Sequence, residues 1–158
     1  MKTIKRRRQE NKTDYKARLF MLKSGKTRFV IRKTNKYIIV QAVESDAAQD
    51  KIIVGVSSRD LSEQGWPKEN SGSLKSLGAA YLTGILLGKK LAGKVKEGII
   101  DLGMQRNIKK SRIYAALRGL IDAGIKIPHS KDVLPTDEDL KKNENVGKLV
   151  DKLKEKLK

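Results

Sequence analysis

Residues Arg28 to Val43 read RFVIRKTNKYIIVQAV, with two runs rich in Val, Ile, Phe and Tyr on either side of the tetrapeptide KTNK. Two such runs around a short polar segment predict a β-hairpin. Alternation along the first strand places Phe29 and Ile31 on the core face, and Arg28 and Arg32 on the opposite face. The opposite face is therefore expected to be cationic and partly wet, and continuous with the basic turn.

The charge of the chain is strongly positive and unevenly distributed. Its 158 residues include 36 Lys and Arg against 18 Asp and Glu, a formal net charge of +18. Such a field attracts polyanions, chiefly nucleic acid and secondarily anionic membranes. The first 41 residues hold 14 basic and 2 acidic side chains, whereas residues 126–158 hold 9 and 7. The polyanion-facing surface is therefore expected to be mostly N-terminal.

Composition and hydropathy also limit where in the cell the protein is expected to act. The chain has no cysteine, which excludes disulfides and thiolate metal sites and is typical of the reducing cytoplasm. The segment MKTIKRRRQENK has a basic start but no apolar run after it, so no secretory signal is expected. The most apolar run, residues 77–88, is too short to span a bilayer and is predicted to be a buried helix. No membrane partner is expected, because the basic segment has almost no apolar face.

Local patterns divide the first half of the chain into short elements. Residues 1–12 are too polar to fold alone and are predicted to be disordered without a partner. The segment DYKARLFMLKSGK is expected to form a short amphipathic helix with Leu19 and Leu22 facing inward. A third strand is predicted over residues 51–58, and a loop over residues 60–76.

The second half alternates helix and strand. A helix is predicted over residues 77–92, where Gly84 and Gly88 share a face that would approach a sheet closely. A short strand follows at residues 97–103. The clearest helix has Ser111 as its N-cap and Gly124 after its end, and a polar helix is expected from Thr136 onward. This order predicts an α/β fold, a mixed sheet covered by helices.

Catalytic motifs are incomplete in this chain. The tetrapeptide SGKT resembles the end of a phosphate-binding loop, but Phe20 stands where that motif requires glycine. His129 is the only histidine, and Asp132 alone beside it makes no metal cluster. Asp101 is the one strand acid suited to two-metal nuclease chemistry, and an isolated strand acid is more often a structural hydrogen-bond partner. No enzyme, metal site, cofactor or small-molecule substrate is therefore expected.

The hairpin carries the residue types that bind irregular RNA. Arg and Lys bind phosphates, while the amides of Asn35 and Gln41 and the ring of Tyr37 suit 2′-hydroxyls and splayed bases. The alternative is a solvated face that only prevents edge aggregation, a purpose that Lys would serve as well as Arg. DNA is disfavoured because no groove-reading motif is found. A second cluster, QRNIKKSR at residues 105–112, is either a phosphate site at a helix N-terminus or an exposed basic loop.

Four segments taken together resemble the large-subunit ribosomal protein eighteen family in its archaeal and eukaryotic form. They are RFVIRKTNKYIIVQAV, AAYLTGILLGKKL, IIDLG and SRIYAALRGLIDAGIKIPHS, in this order, between about Thr13 and Ser130. The resemblance implies a ribonuclease-H-like core without nuclease activity. It also implies binding of 5S rRNA and its attachment to the large-subunit rRNA in the central protuberance, beside neighbouring ribosomal proteins.

The resemblance places RNA contacts in the basic N-terminal arm, the hairpin and the exposed sheet face. Carried over to this chain, these are Lys5, Arg6, Arg7, Arg8, Lys12, Tyr15, Arg18, Lys26, Arg28, Arg32, Lys33, Asn35, Lys36, Tyr37 and Gln41. The second basic cluster adds Arg106, Lys109, Lys110 and Arg112. Three parts are expected: an arm at 1–12, an RNA-binding core at 13–130 and a polar, partly helical tail at 131–158. The rivals are a metal-dependent nuclease using Asp101 and a non-specific RNA chaperone.

Overall fold

A computed structural model describes residues 3–46, 49–91, 93–142 and 144–157. In these ranges four strands form one mixed sheet in the order β3-β2-β1-β4. Strands β1 and β2 and strands β2 and β3 pair antiparallel, whereas β4 pairs parallel to β1. The predicted α/β class with a mixed sheet is confirmed. The strands are β1 (Arg28–Lys33), β2 (Ile38–Asp46), β3 (Gln49–Ser57) and β4 (Ile99–Asp101).

Seven α-helices lie in the described ranges. They are α1 (Arg6–Gln9), α2 (Tyr15–Lys23), α3 (Leu61–Gln64), α4 (Leu77–Leu91), α5 (Arg112–Asp122), α6 (Asp137–Lys141) and α7 (Glu144–Lys156). None of the described helices is both long and apolar enough to cross a membrane. The predicted loop at 60–76 is wrong in part, because it contains α3 and a 3-10 turn at Lys68–Ser73. Its apolar residues Leu61, Trp66 and Leu74 are buried in the core, which holds these short helices in place.

The predicted hairpin is confirmed. Its register runs from the pair Arg28 and Val43 to the pair Lys33 and Ile38. The Thr34 hydroxyl closes the turn, because it donates to the Tyr37 carbonyl (2.8 Å) and accepts from the Tyr37 amide (2.9 Å). Phe29 and Ile31 are fully buried, as the strand alternation predicts.

Helix α4 is the centre of the core. Nearly all of its residues are buried, because the sheet, α5 and α7 contact it from different sides. A Cβ atom at Gly84 would collide with the Ala116 carbonyl of α5, and one at Gly88 with the Ala123 side chain. The prediction that these glycines approach the sheet is therefore wrong, since they bring α4 against α5. Gly119 of α5 makes the reciprocal close approach to the Tyr81 carbonyl.

Helix α2 differs from its predicted packing. None of its residues is buried, and Leu19 is 52% exposed. The helix is held by polar contacts instead: the Asp14 carboxylate caps it by accepting from the Lys16 and Ala17 amides. The predicted inward orientation is wrong for Leu19, whereas Leu22 is half-buried. Arg18 of the same helix pairs with Asp50 of β3.

The two ends of the described chain differ in how they are held. Within the arm, for which the sequence predicts disorder, α1 forms one helical turn, with an Arg6–Glu10 ion pair of 3.2 Å. Met1 and Lys2 lie outside the described residues. At the other end, α6 and α7 bury an apolar stripe in the same core: Leu140, Val146, Val150, Leu153 and Leu157.

Candidate nucleic-acid interface

Arg28 lies at the centre of a buried polar network. Its side chain is 2% exposed, and Nη1 donates to Oδ2 of Asp101 at 3.1 Å. Nη2 donates to Oδ1 of Asp50 (2.6 Å) and to the Ser45 hydroxyl (2.9 Å). The expectation that Arg28 is partly wet is wrong, because the carboxylates of Asp50 on β3 and Asp101 on β4 neutralise its charge and cover it. Buried charges persist when they are paired in this way.

Asp101 is the second centre of the network. Its carboxylate is buried and accepts from Arg28, from Nη2 of Arg32 (2.8 Å) and from the Gly103 amide (2.8 Å). Arg32 also donates to the Asp101 and Ile31 carbonyls, and its side chain remains 37% exposed. Asp101 is therefore a structural hydrogen-bond partner, the role that the sequence favoured over that of a nuclease acid. Its contacts fix Arg32 against the loop that follows β4.

Asp50 connects the network to α2. Its carboxylate accepts from the Ser45 hydroxyl (2.6 Å) and from Nη2 of Arg18 (2.9 Å). Burial alone would raise the pKa of Asp50, but the hydrogen bonds from Ser45, Arg18 and Arg28 outweigh it and lower the pKa from 3.8 to about 2. Sequence reasoning missed Ser45 and Asp50, because nothing local marks a residue that pairs with an arginine 22 positions away.

The hairpin tip is exposed, unlike Arg28. Lys33, Asn35 and Lys36 lie at the surface. Tyr37 is half-buried, with the Arg59 guanidinium 5.3 Å from its ring centroid. Gln41 is half-buried and lies over Gly55 of β3. The tip is therefore the part of the hairpin best placed to contact a ligand.

The cations of the arm are exposed and partly paired. The Lys5 ammonium lies 4.5 Å from the centroid of the Tyr15 ring, and Arg7 donates to the Thr13 hydroxyl (2.9 Å). Lys12 pairs with Glu10 at 2.8 Å. Further along the chain, Lys26 lies 3.4 Å from Glu97. Exposed ion pairs of this kind contribute little stability.

The second basic cluster is an exposed loop that ends at the N-terminus of α5. Arg106 and Lys109 are exposed, and Arg112 is half-buried. Lys110 is held by a bond from its amide to the Val133 carbonyl (2.9 Å) and by an ion pair with Asp139 (3.0 Å). Ser111 takes the N-cap position, as predicted, but its side chain makes no capping hydrogen bond.

Contacts between the arm, the hairpin and this loop make one surface. Nη1 of Arg8 lies 3.3 Å from the Met104 sulfur. An open cavity of about 360 Å³ is lined by Arg7 and Lys12 of the arm together with Arg32 and Gly103. A second cavity, of about 340 Å³, joins Lys33 to the loop before α5. We call this surface the cationic face. The two cavities join Arg7, Lys12, Arg18, Arg32, Lys33, Arg106, Lys110 and Arg112, and we include with them their exposed neighbours in the chain, Arg8, Asn35, Lys36 and Lys109.

Several cations of this face have no acidic neighbour. Among the residues that the structure describes, Lys33, Lys36, Arg106, Lys109 and Arg112 have no carboxylate oxygen within 4.0 Å. The fold and this face define a class: a basic α/β protein that holds unpaired cations beside a network of neutralised arginines. Three of the predicted RNA contacts lie outside this arrangement: Lys26, Tyr37 and Gln41 line neither of the two cavities.

Comparison with known proteins identifies the family. Residues 1–98 match the family model described as ribosomal large subunit proteins 60S L5, and 50S L18. Large ribosomal subunit protein uL18 of Korarchaeum cryptofilum is 47% identical over 95% of this chain and 75% of its own length. The uL18 proteins of Aeropyrum pernix and Methanothermobacter thermautotrophicus are 40% and 38% identical over 95% of this chain, and over 69% and 76% of their own lengths.

The chain therefore belongs to the uL18 family of large ribosomal subunit proteins, which confirms the resemblance given by the four sequence segments. Proteins of this family are structural constituents of the cytoplasmic ribosome and not enzymes. The nuclease alternative is excluded on this ground.

Proposed function

We propose that this chain binds 5S rRNA and helps attach it to the large-subunit rRNA in the central protuberance, next to other ribosomal proteins. Family membership supports a place in the large subunit. The observation that carries the RNA contact is the separation of two kinds of cation. Arg28 and Arg32 are bound to Asp101, whereas the tip and the loop before α5 hold the unpaired Lys33, Lys36 and Arg106.

The two kinds of cation have different roles in this proposal. The exposed cations neutralise phosphates, and Asn35 at the tip offers its amide to a base edge or a 2′-hydroxyl. Arg28 is a positioning residue, because its buried guanidinium joins the open end of the hairpin, where Arg28 pairs with Val43, to β3 and β4. Arg32 contributes one partly exposed edge to the cationic face. In this proposal Lys26, Tyr37 and Gln41 contact the same RNA at the periphery of the cationic face.

The proposal also assigns roles to the three parts of the chain. The arm at 1–12 extends the cationic face, the core at 13–130 holds it, and the segment at 131–158 supports the core and meets neighbouring proteins. We describe the core as ribonuclease-H-like, since three antiparallel strands followed by a parallel fourth strand support that motif. The motif here lacks a nuclease role, because its strand acid is occupied by two arginines.

The test compares RNAs by filter binding with the purified chain at physiological salt. The proposal predicts at least tenfold tighter binding to 5S rRNA than to an unrelated structured RNA of equal length, a difference of about 1.4 kcal/mol. Binding should also weaken steeply with salt, since each neutralised phosphate releases counterions. Equal affinity for the two RNAs would instead favour the non-specific chaperone.

A further inference from the structure

Five lysines lie at the end of the core that is opposite the hairpin tip. All five are exposed, and among the residues that the structure describes none of them has a carboxylate oxygen within 4.0 Å: Lys89, Lys90, Lys94, Lys96 and Lys126. We call these residues the basal lysine cluster. Residues 88–96 hold four of the five and no acidic residue. The cluster is therefore a second concentration of unpaired positive charge, outside the cationic face.

Backbone pairing places the cluster at the open end of the hairpin. Ile99 of β4 pairs with Arg28, so the segment that precedes Ile99 lies at that end. The Lys126 amide donates to the Lys96 carbonyl (2.9 Å), which brings these two lysines to the same place. Gly88 lies against Ala123, so the end of α4, with Lys89 and Lys90, is also there.

The cationic face lies at the other end of the same elements. Leu77, where α4 begins, and Lys33, where β1 ends, line one cavity of that face. The 15 residues of α4 span about 21 Å, and the six residues of β1 span about 17 Å. Salt screens charges over about 8 Å at physiological ionic strength. The two groups of cations therefore attract polyanions independently of each other.

The loop that carries Lys94 and Lys96 is firmly held. Val95, between these two lysines, is buried in the core. Gly98, at the end of the loop, packs so closely that a Cβ atom there would collide with the Phe29 ring. A loop that is already ordered loses little conformational entropy when it binds a partner. The fold therefore presents these ammonium groups to solvent in a preorganised arrangement.

An open cavity of about 450 Å³ adjoins the cluster at Lys126. Its acid, Glu97, lies 3.4 Å from the Lys26 ammonium. Most of its other lining is apolar: Ile121, Ile125, Ile127 and Pro128. The cluster thus borders a concave surface on which the sugars of a nucleic-acid strand can lie, with their phosphates at the lysines.

We infer that the basal lysine cluster binds the phosphate backbone of large-subunit rRNA, while the cationic face binds 5S rRNA. This inference rests on the proposed function, in which the chain joins two RNAs and so needs two separated surfaces. Lysine suits phosphates better than bases, because its ammonium is a point charge without the planar fork of arginine. The cluster contains no arginine, so this contact positions the RNA without reading its sequence.

Two other roles explain the cluster less well. Lysines in the last turn stabilise the end of a helix, which accounts for Lys89 and Lys90 of α4 but not for the three lysines beyond the helices. An acidic segment of a neighbouring protein would also pair with lysines. For a constituent of the large subunit, however, rRNA is the polyanion that its family membership already supplies.

Capture of large-subunit rRNA on immobilised 5S rRNA by the purified full chain tests this assignment. The basal variant combines Lys94→Ala, Lys96→Ala and Lys126→Ala. It should bind 5S rRNA with the affinity and salt slope of the wild type. Its capture of large-subunit rRNA should fall about tenfold at physiological salt, and the salt slope of capture should decrease by about 2 to 3, at 0.7 to 0.9 for each phosphate.

The matched control replaces Lys142, Lys148 and Lys152, three exposed lysines near the C-terminal end, and should capture as the wild type does. Unchanged capture by the basal variant, or an equal loss in the control, would overturn the inference and leave the proposed function standing. A reduced slope for 5S rRNA itself would also overturn it, because the cluster would then belong to the 5S site. A wild type that binds 5S rRNA without capturing large-subunit rRNA would contradict the proposed attachment, and the inference with it.

A second measurement needs no substitution. Acetylation of lysines, read by mass spectrometry, compares the free chain, its 5S complex and its complex with both RNAs. Lys33 and Lys36 should be protected by 5S rRNA alone, whereas Lys94 and Lys96 should stay reactive until large-subunit rRNA is added. Protection of the cluster by 5S rRNA alone, or continued reactivity with both RNAs bound, would overturn the inference. Protection by polyglutamate but not by large-subunit rRNA would overturn it in favour of an acidic protein partner.

Discussion

Arg28 and Asp101 form a buried ion pair, with 3.1 Å between Nη1 and Oδ2 and side chains that are 2% and 7% exposed. The pair joins β1 to β4 at their parallel edge, and Asp101 extends it to Arg32 and the Gly103 amide. The hairpin and the loop after β4 therefore share one carboxylate. This sharing holds the hairpin tip in a fixed position relative to the loop before α5.

Removing one partner of this pair should destabilise the fold strongly. Arg28→Ala leaves Asp101 and Asp50 with less compensation, and breaking a buried pair typically costs about 3–5 kcal/mol. Urea unfolding followed by the fluorescence of Trp66, the single tryptophan, measures the free energy of unfolding. Lys33→Ala at the exposed tip is the control and should change stability by less than about 0.5 kcal/mol. Equal stability of the two variants would contradict a structural role for Arg28.

The network predicts a pH dependence through Asp50. Its pKa in the folded chain is about 2, below the ordinary value of 3.8, so the unfolded chain binds more protons between these values. The stability that ionised Asp50 contributes is complete well above pH 3.8 and is lost as the pH falls toward 2. Asp50→Asn should be less stable than the wild type at neutral pH, and this difference should shrink across that window. The control Asp132→Asn, at an exposed carboxyl outside the network, should not reproduce the effect; a constant Asp50→Asn difference down to the lowest pH would contradict it.

The close approach of α4 and α5 should not tolerate a methyl group. A Cβ atom at Gly84 meets the backbone carbonyl of Ala116, which cannot rotate away. Gly84→Ala should therefore cost about 1–3 kcal/mol through overpacking. Gly72→Ala is a matched control, because no atom lies within 4 Å of a Cβ there. Thermal unfolding of the two variants should separate clearly, and coincident curves would show that the helices move apart at low cost.

The unpaired cations should set the salt dependence of rRNA binding. Replacing Lys33, Lys36 and Arg106 by Ala should lower the salt slope for 5S rRNA by about 0.7 to 0.9 for each phosphate that the variant no longer neutralises. The control replaces Lys90, Lys148 and Lys152, three exposed lysines of α4 and α7, and removes the same charge. An equal decrease of slope in both triple variants would mean that net charge, and not the cationic face, drives binding.

The elements with strong local patterns could be predicted from the sequence. Alternation in β1 indicated the burial of Phe29 and Ile31, and the stripe that begins at Ile113 indicated α5. The environment of Arg28 could not be predicted, because Asp101 lies 73 residues away and both side chains read as ordinary strand polar residues. The spacing of the glycines in α4 indicated that another element packs closely against this helix. It could not indicate which one, since a sheet and a helix can both pack against a helix face made of small residues.

For the candidate site too, local features could be predicted from the sequence and long-range ones could not. Clustered charge located the arm, the tip and the basic loop, because density of Lys and Arg is a local property. That these three clusters meet depends on the parallel pairing of β1 with β4, a long-range feature.

The most direct test is a density map of an assembled large subunit that contains this chain. The account predicts 5S rRNA phosphates within about 4 Å of the Lys33 or Lys36 ammonium and of the Arg106 guanidinium, the range of a direct ion pair. Arg28 should remain bound to Asp101 and away from RNA. A map in which the hairpin tip and Arg106 face solvent or protein alone would contradict it.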